Sequence, residues 1–122
     1  MKITGMYPAI VCKDAEMIAK FYEDNFGFKV AHKLSSLTGE KEEDAIWVME
    51  NEAGIRFDII NMDLPFSISI RVNVDDFDEA LKFYKAEGFV ENCAPVCGKS
   101  SKRVLLSKFD QTPILLIQHI KG

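Results

Sequence analysis

The segment DAEMIAKFYEDNFGF at residues 14–28 returns in altered form as DFDEALKFYKAEGF at residues 76–89. Both copies start with an acidic residue, contain a Lys-Phe-Tyr triplet and end in Gly-Phe. The triplets begin at Lys20 and Lys82, 62 positions apart (82 − 20), and the offset falls to 61 at Gly27 and Gly88 (88 − 27). A period of this size present only twice indicates a duplicated module, since a solenoid needs several repeats to bury a continuous core. We therefore expect a functional site on the concave surface between the copies.

The first copy has the start and stop signals of an amphipathic helix. Asp14 is a suitable N-cap, because its carboxylate can accept hydrogen bonds from free N–H groups of the first turn. Ile18, Phe21 and Tyr22 follow at i, i+3 and i+4, which is an apolar helical stripe. Gly27 is the type of residue that ends helices just beyond the C-cap. The spacing predicts a helix between Asp14 and Gly27.

The second copy repeats these signals after a strand of strict period two. Apolar and polar residues alternate through the segment FSISIRVNV at 66–74, as in a strand with one buried face. Asp76 and Glu79 resemble a capping box, and Gly88 ends the predicted helix. Further strands are predicted at 8–12, 28–34, 45–50, 55–61, 89–92, 103–108 and 114–120, with a polar loop at 35–44. Each half is thus predicted to be β-α-β-β-β, with module one at about 5–62 and module two at about 66–120 of a single domain, 1–122.

Composition narrows the class of function. The chain has 122 residues, is 48% hydrophobic and carries a net charge of −4, with its fifteen basic residues scattered. Binding to nucleic acid or to an anionic membrane is not expected. The start lacks a secretory leader and no apolar run spans a membrane, so a reducing cytoplasm is expected. Cys12, Cys93 and Cys97 have no further Cys/His pair that would complete a zinc site.

The doubled β-α-β-β-β order, with Phe-Tyr in each helix and Gly-Phe after it, resembles the vicinal oxygen chelate (VOC) superfamily of glyoxalases, extradiol dioxygenases, epimerases and bleomycin resistance proteins. The resemblance covers about residues 6–118. It implies an α+β fold in which two βαβββ modules form a cupped mixed sheet with the helices on its outer face. It does not fix the activity, because fold and function are separable.

In metal-dependent members of that superfamily, a first-strand residue and a late-strand carboxylate of each module meet in the cleft. Carried over by motif, these positions fall on Tyr7, Asp58, Ser69 and, in the last strand, either Leu115 or Ile117. One good oxygen ligand does not hold a divalent ion against water. The prediction is no metal cofactor and no metal ligands. A divalent metal remains the alternative, through a register shift that brings His119 into the cleft. His32 lies in another strand at unknown range.

The inward side chains instead suggest a small-molecule pocket with aromatic and aliphatic walls. The predicted ligand-binding residues are Tyr7, Trp47, Asp58, Ser69 and Arg71; Met49 is a further candidate, and the strand parity of Trp47 and Met49 is less clear. Arg71 has three interpretations: capture of an anionic ligand, an internal ion pair with Asp58, or a position at the rim that is open to water. No catalytic constellation is found, so no catalytic residue is assigned.

Three functions follow. The first is a metal-free protein that binds a small organic ligand, anionic or aromatic, as bleomycin resistance proteins do. The second is a lyase, isomerase or dioxygenase with a divergent metal site. The third is an interaction module whose cleft is filled by its own side chains. A homodimer is expected, because exposed strand edges need covering.

Overall fold

The computed structural model describes residues 2–34, 46–92, 94–97, 101–109 and 112–119. The first half contains β1 (Ile3–Cys12), α1 (Ala15–Phe26), β2 (Lys29–Leu34), β3 (Ile46–Glu50) and β4 (Arg56–Asn61). The second half contains β5 (Ile68–Val74), α2 (Phe77–Ala86), β6 (Val90–Glu91), β7 (Val96–Cys97), β8 (Ser101–Ser107) and β9 (Ile114–His119). The predicted loop at 35–44 and the position of Cys93 lie outside the described residues.

Both helices begin and end where the local chemistry predicts. Asp14 accepts a hydrogen bond from the backbone N–H of Met17 at 3.2 Å, and Asp76 accepts one from the N–H of Glu79 at 3.1 Å. Gly27 follows α1 with φ of 69°, a left-handed conformation that glycine adopts without steric cost. The predicted helix caps are confirmed.

The strands form one mixed sheet in the order β2-β3-β4-β1-β5-β9-β8-β6, with β7 paired to β8. The two halves join through β1 and β5, which run antiparallel, whereas β1–β4 and β5–β9 are parallel pairs. This architecture confirms the predicted α+β fold of two β-α-β-β-β units with helices on one face of a mixed sheet. Among the described strands, β2 forms one edge of the sheet, and β6 and β7, both paired to β8, form the other.

The main differences from the predicted strands concern β1 and β7. Strand β1 begins at Ile3 rather than at Pro8, because the long antiparallel pairing with β5 reaches from Ile10 back to Ile3. Proline is normally confined to strand starts and edges, and the pairing with β4 begins only at Ala9, one residue after Pro8. The short strand β7 carries no local signal and forms only by pairing with β8.

The outer face of the sheet carries one apolar cluster under each helix. Under α1 the cluster includes Met49 and Ile59, and under α2 it includes Val72 and Leu116. Ile55 and Ile68 are large apolar residues, yet they are 57% and 55% exposed. They lie just before or at the start of their strands and outside both helix clusters.

Candidate functional site

The strand registers place four predicted site residues together on the concave face, opposite the helices. Ala9 pairs with Asp58 of β4 on one side and with Ser69 of β5 on the other, and Tyr7 pairs with Arg71. Residues paired across strands share a face of the sheet, and so do residues two apart in one strand. Tyr7, Asp58, Ser69 and Arg71 therefore form one group at the centre of the sheet.

The fifth predicted residue, Trp47, lies on the other face. It pairs with Ile59, and both residues pack in the cluster beneath α1 together with Met49. The prediction that Trp47 and Met49 point into the concave pocket is therefore wrong. The alternation of side chains within β3 is visible in the sequence. Which of the two sets faces the helix depends on how β3 pairs with β4, and the sequence alone does not determine that pairing.

A pseudo-twofold axis relates the two halves of the sheet. From Gly5 to Ile10 in the β1–β5 pairing the two residue numbers sum to 78, as in Tyr7–Arg71 and Ala9–Ser69. The repeat offset of 62 residues thus maps Ala9 onto Arg71. Their parallel partners are Asp58 and Leu115. The structural equivalent of Asp58 in module two is therefore Leu115, rather than Ile117.

One half of the concave face is filled by apolar side chains of the protein itself. The cluster draws on both modules: Ala9, Val11, Ile46, Ile60, Leu105 and Leu115. The segment between the modules covers it with Met62, Leu64 and Phe66. The part of the concave face that this cluster does not fill is the polar half beyond Asp58 and Arg71.

Arg71 and Asp58 form an ion pair in the middle of this face. Nε of Arg71 lies 2.6 Å from Oδ2 of Asp58, and Nη2 donates a hydrogen bond to Oδ1 at 3.3 Å. The close Nε–Oδ2 contact is not aligned as a hydrogen bond, so charge attraction and the Nη2 bond hold the pair. The two side chains are only 2% and 1% exposed. The internal ion pair is thus the interpretation of Arg71 that the geometry supports.

Burial dominates the protonation of Asp58. Removal from water raises the pKa of its carboxyl to about 6, even though the positive charges of Arg71 and Arg56 act to lower it. The buried carboxylate of Asp58 holds the guanidinium of Arg71 in place. Its oxygens are turned toward the guanidinium, which limits its use as a metal ligand or a proton acceptor.

Tyr7 lies between two guanidinium groups. The Cζ atom of Arg71 is 4.7 Å from the centre of its ring, and that of Arg56 is 5.0 Å away, both within cation–π range. The ring leans across Gly5, where an added Cβ atom would lie only 2.9 Å from Cε2 and from the hydroxyl oxygen. Glycine at position 5 therefore makes room for the half-buried tyrosine.

Two buried polar atoms beside Tyr7 have no hydrogen-bond partner in the described part of the chain. They are Nε of Arg56 and Oδ1 of Asn73. Arg56 approaches Glu50, but at 3.6 Å, which is too long for a hydrogen bond. Unsatisfied buried groups are uncommon and call for an explanation such as a bound water, ion or ligand. One of the two atoms is a donor and the other an acceptor, and each has almost no exposed surface.

Ser69 has a structural partner. Its hydroxyl donates a hydrogen bond to the carbonyl oxygen of Pro113 at 2.9 Å, and the residue is fully buried. Ser69 lies in the predicted group, but it ties β5 to the start of β9.

Two polar residues of module two were missed by the sequence reasoning, Ser101 and Arg103. His119, which was expected in the cleft only after a register shift, pairs with Ser101. Arg103 pairs with Ile117, which pairs with Asn73, and it donates a hydrogen bond to the Ser101 hydroxyl at 2.7 Å. Burial lowers the pKa of His119, and the positive charges of Arg71 and His32 lower it further. The alternation of Ser101, Arg103 and Leu105 in β8 was the available signal.

The positions carried over from metal-dependent relatives do not fit a metal ion. Asp58 is paired with Arg71, Ser69 bonds to a backbone carbonyl, and Leu115 has no donor atom. Among the described residues no three His, Cys, Asp or Glu side chains are grouped closely enough to hold an ion. His32, Asp58 and His119 accordingly do not form such a group.

Three solved structures have similar folds. A glyoxalase/bleomycin resistance protein/dioxygenase superfamily member from Vibrio splendidus is 15% identical, with a TM-score of 0.62 over 95% of this chain and 98% of that one. Maize glyoxalase I is 21% identical, with a TM-score of 0.70; 98% of this chain matches 44% of that protein. A variant of methylmalonyl-CoA epimerase from Streptomyces coelicolor, in complex with 2-nitronate-propionyl-CoA, is 16% identical, with a TM-score of 0.66 over 98% and 100% of the two chains.

These matches show that the chain has the glyoxalase/bleomycin resistance fold. No protein-family model matches the sequence, and no curated protein matches it. Within the described residues, no helix is long and apolar enough to cross a membrane.

Proposed function

We propose that this chain is a VOC superfamily protein that binds a small organic anion, preferably an aromatic one, without a metal ion. The observation that carries the proposal is Tyr7 held between Arg56 and Arg71, with the Arg56 Nε donor and the Asn73 Oδ1 acceptor unsatisfied beside it. An aromatic ring can stack on Tyr7, and an acid group can accept from Arg56.

The charge of the polar half favours an anion. Three guanidinium groups, those of Arg56, Arg71 and Arg103, lie on this face against the carboxylates of Glu50 and Asp58. The excess is positive on a chain whose net charge is −4. Arg71 supports Tyr7 from within the sheet, whereas half-buried Arg56 is the guanidinium that remains within reach of a ligand.

Binding is proposed rather than catalysis because the carboxyl groups of this face are already engaged. Asp58 is inaccessible and paired with Arg71, and Glu50 lies 3.6 Å from Arg56. A general base must reach the proton it removes. Neither group is placed to do so without first leaving its partner.

The direct test is the thermal stability of the protein in the presence of matched ligands. Benzoate and phenyl phosphate should raise the unfolding midpoint, because a ligand that binds only the native state stabilises it by mass action. Benzamide, which keeps the ring and loses the charge, should have a much smaller effect. Equal shifts for benzoate and benzamide would contradict an anion site.

A pair of variants assigns the binding to Arg56. Arg56→Gln should weaken benzoate binding roughly tenfold or more, since a charge-assisted hydrogen bond contributes about 1.5–3 kcal/mol. Glu50→Gln is the matched control: it removes the competing carboxylate and should leave binding equal or tighter. Unchanged affinity in Arg56→Gln would refute the role of this guanidinium.

A metal-dependent lyase, isomerase or dioxygenase is the competing function. Metal analysis of protein purified without chelators separates the two, because a catalytic metal would be retained in stoichiometric amount. One equivalent of nickel, zinc or iron per chain would refute the metal-free proposal.

The expected homodimer and the cytoplasmic location are part of the same proposal. Within the described residues no strand pairs with the outer edge of β2 or of β6. These edges, and the exposed side chains of Met6 and Ile68 on the outer face, are surfaces that a second copy could cover. Sedimentation velocity at micromolar concentration tests this, and a single species at the monomer mass would count against it.

A further inference from the structure

A cavity lies on the outer side of the sheet, between α1 and the strands β2 and β3. Its volume is about 640 Å³. Val30, Lys33 and Trp47 line it from the strands, and Glu16, Ala19, Lys20, Glu23 and Asp24 line it from the helix. Because Trp47 and Tyr7 lie on opposite faces of the sheet, this cavity is separate from the concave site.

The indole ring of Trp47 already holds a cation. Nζ of Lys33 lies 3.9 Å from the centre of the ring, within the range of a cation–π contact. Lys33 forms no ion pair with any carboxylate of the described residues, although Glu23 and Asp24 line the same cavity. The exposed lysine therefore shows which chemical group the ring face accepts.

The helix side of the cavity is negative overall, because Lys20 is outnumbered there by the carboxylates of Glu16, Glu23 and Asp24. Glu23 and Asp24 lie in the last turn of α1, which contains no basic residue. The negative end of the helix dipole is there, so carboxylates at this position raise the local free energy and a bound cation lowers it. Neither carboxylate is in an ion pair within the described part of the chain.

The second module shows that the fold does not require this arrangement. The repeat offset of 62 residues places Lys85 where module one has Glu23, and Lys85 pairs with Glu91 at 2.9 Å. The strand pairings Trp47–Ile59 and Val104–Leu116 are equivalent, so Val104 stands in place of Trp47. Module two thus adopts the same fold although the last turn of α2 is basic and a valine occupies the position of the tryptophan.

We infer that the cavity between α1 and strands β2 and β3 binds an organic cation, an alkylammonium or guanidinium group, on the face of Trp47. The bound cation takes the place of the Lys33 ammonium, and the carboxylates at the end of α1 face it. Alkylammonium ions suit such a site because an aromatic face attracts them and water solvates them weakly.

Fluorescence reports on this cavity directly, because Trp47 is the single tryptophan of the chain. The full protein is titrated with tetramethylammonium chloride against sodium chloride at equal ionic strength, and the tryptophan emission is followed. Saturable change with tetramethylammonium alone is expected. The same response to both salts would overturn the inference.

Exposed variants locate the site without disturbing the core. Lys33→Met removes the competing ammonium and should tighten binding about threefold, as loss of an exposed cation–π contact implies. Glu23→Gln with Asp24→Asn should weaken it by a similar factor. Lys29→Met is the matched control in the same strand and should bind like the parent. Equal affinity in Lys33→Met and Lys29→Met would refute displacement of Lys33.

Discussion

The buried pair of Arg71 and Asp58 is the residue contact on which the concave site depends. Arg71→Ala should lower the free energy of unfolding by about 3–5 kcal/mol, because it leaves Asp58 buried without its partner. Urea unfolding measures the loss. Lys13→Ala is the control, since its ion pair with Asp63 is about 75% exposed and its removal should have little effect. A small loss in Arg71→Ala would mean that the pair is not structural.

Asp58 also gives the protein a defined pH dependence. Its pKa is about 6 in the folded chain against 3.8 for the free side chain. Between pH 3.8 and about 6 the native state holds more protons than the unfolded state, so the free energy of unfolding falls as pH rises. Asp58→Asn should remove this slope. The measurement is urea unfolding of both proteins across this range, and parallel profiles would contradict the raised pKa.

At the scale of the element, each helix start is held by a side chain from the end of a distant strand. Oδ1 of Asn61 accepts from the N–H of Ala15 at 3.1 Å, and Oε1 of Gln118 accepts from the N–H of Phe77 at 2.7 Å. The two contacts are equivalent, since Asn61 ends β4 and Gln118 is near the end of β9. They satisfy N–H groups that no residue within the helix can pair with.

We expect Asn61→Ala and Gln118→Ala each to cost about 1 kcal/mol, the usual effect of losing a helix cap. Because the sites are in different modules and share no partner, the double variant should lose the sum of the two. Thermal unfolding by circular dichroism tests both statements. A cost near zero for either variant would mean that water replaces the contact freely.

At the scale of the whole molecule, the two modules share one core on the concave side. Ile46 and Ile60 from module one pack in the same cluster as Leu105 and Leu115 from module two. Leu115→Ala should therefore destabilise the whole chain by about 2–5 kcal/mol, the range for a large buried side chain. Trp47, in module one, should report the same unfolding midpoint as circular dichroism. Separate midpoints would show independent modules.

The sequence was sufficient for the features that depend on local spacing. The repeat at 14–28 and 76–89, the caps at Asp14 and Asp76 and the alternation around Arg71 each concern neighbours along one element. They led to the fold and to the inward group of Tyr7, Asp58, Ser69 and Arg71. The hydrogen bonds from the helix starts to Asn61 and Gln118 were missed because each joins residues more than forty positions apart.

Sequence alone determined which side chains alternate, where the helices begin and that the chain is built twice. Tertiary structure decided what those side chains contact: the register assigns Leu115 as the counterpart of Asp58, brings Asp58 onto Arg71, and turns Trp47 toward α1. The reason is physical. Strand phase and pairing are fixed by packing between segments far apart in the chain, and a shift of one residue exchanges the faces of an entire strand.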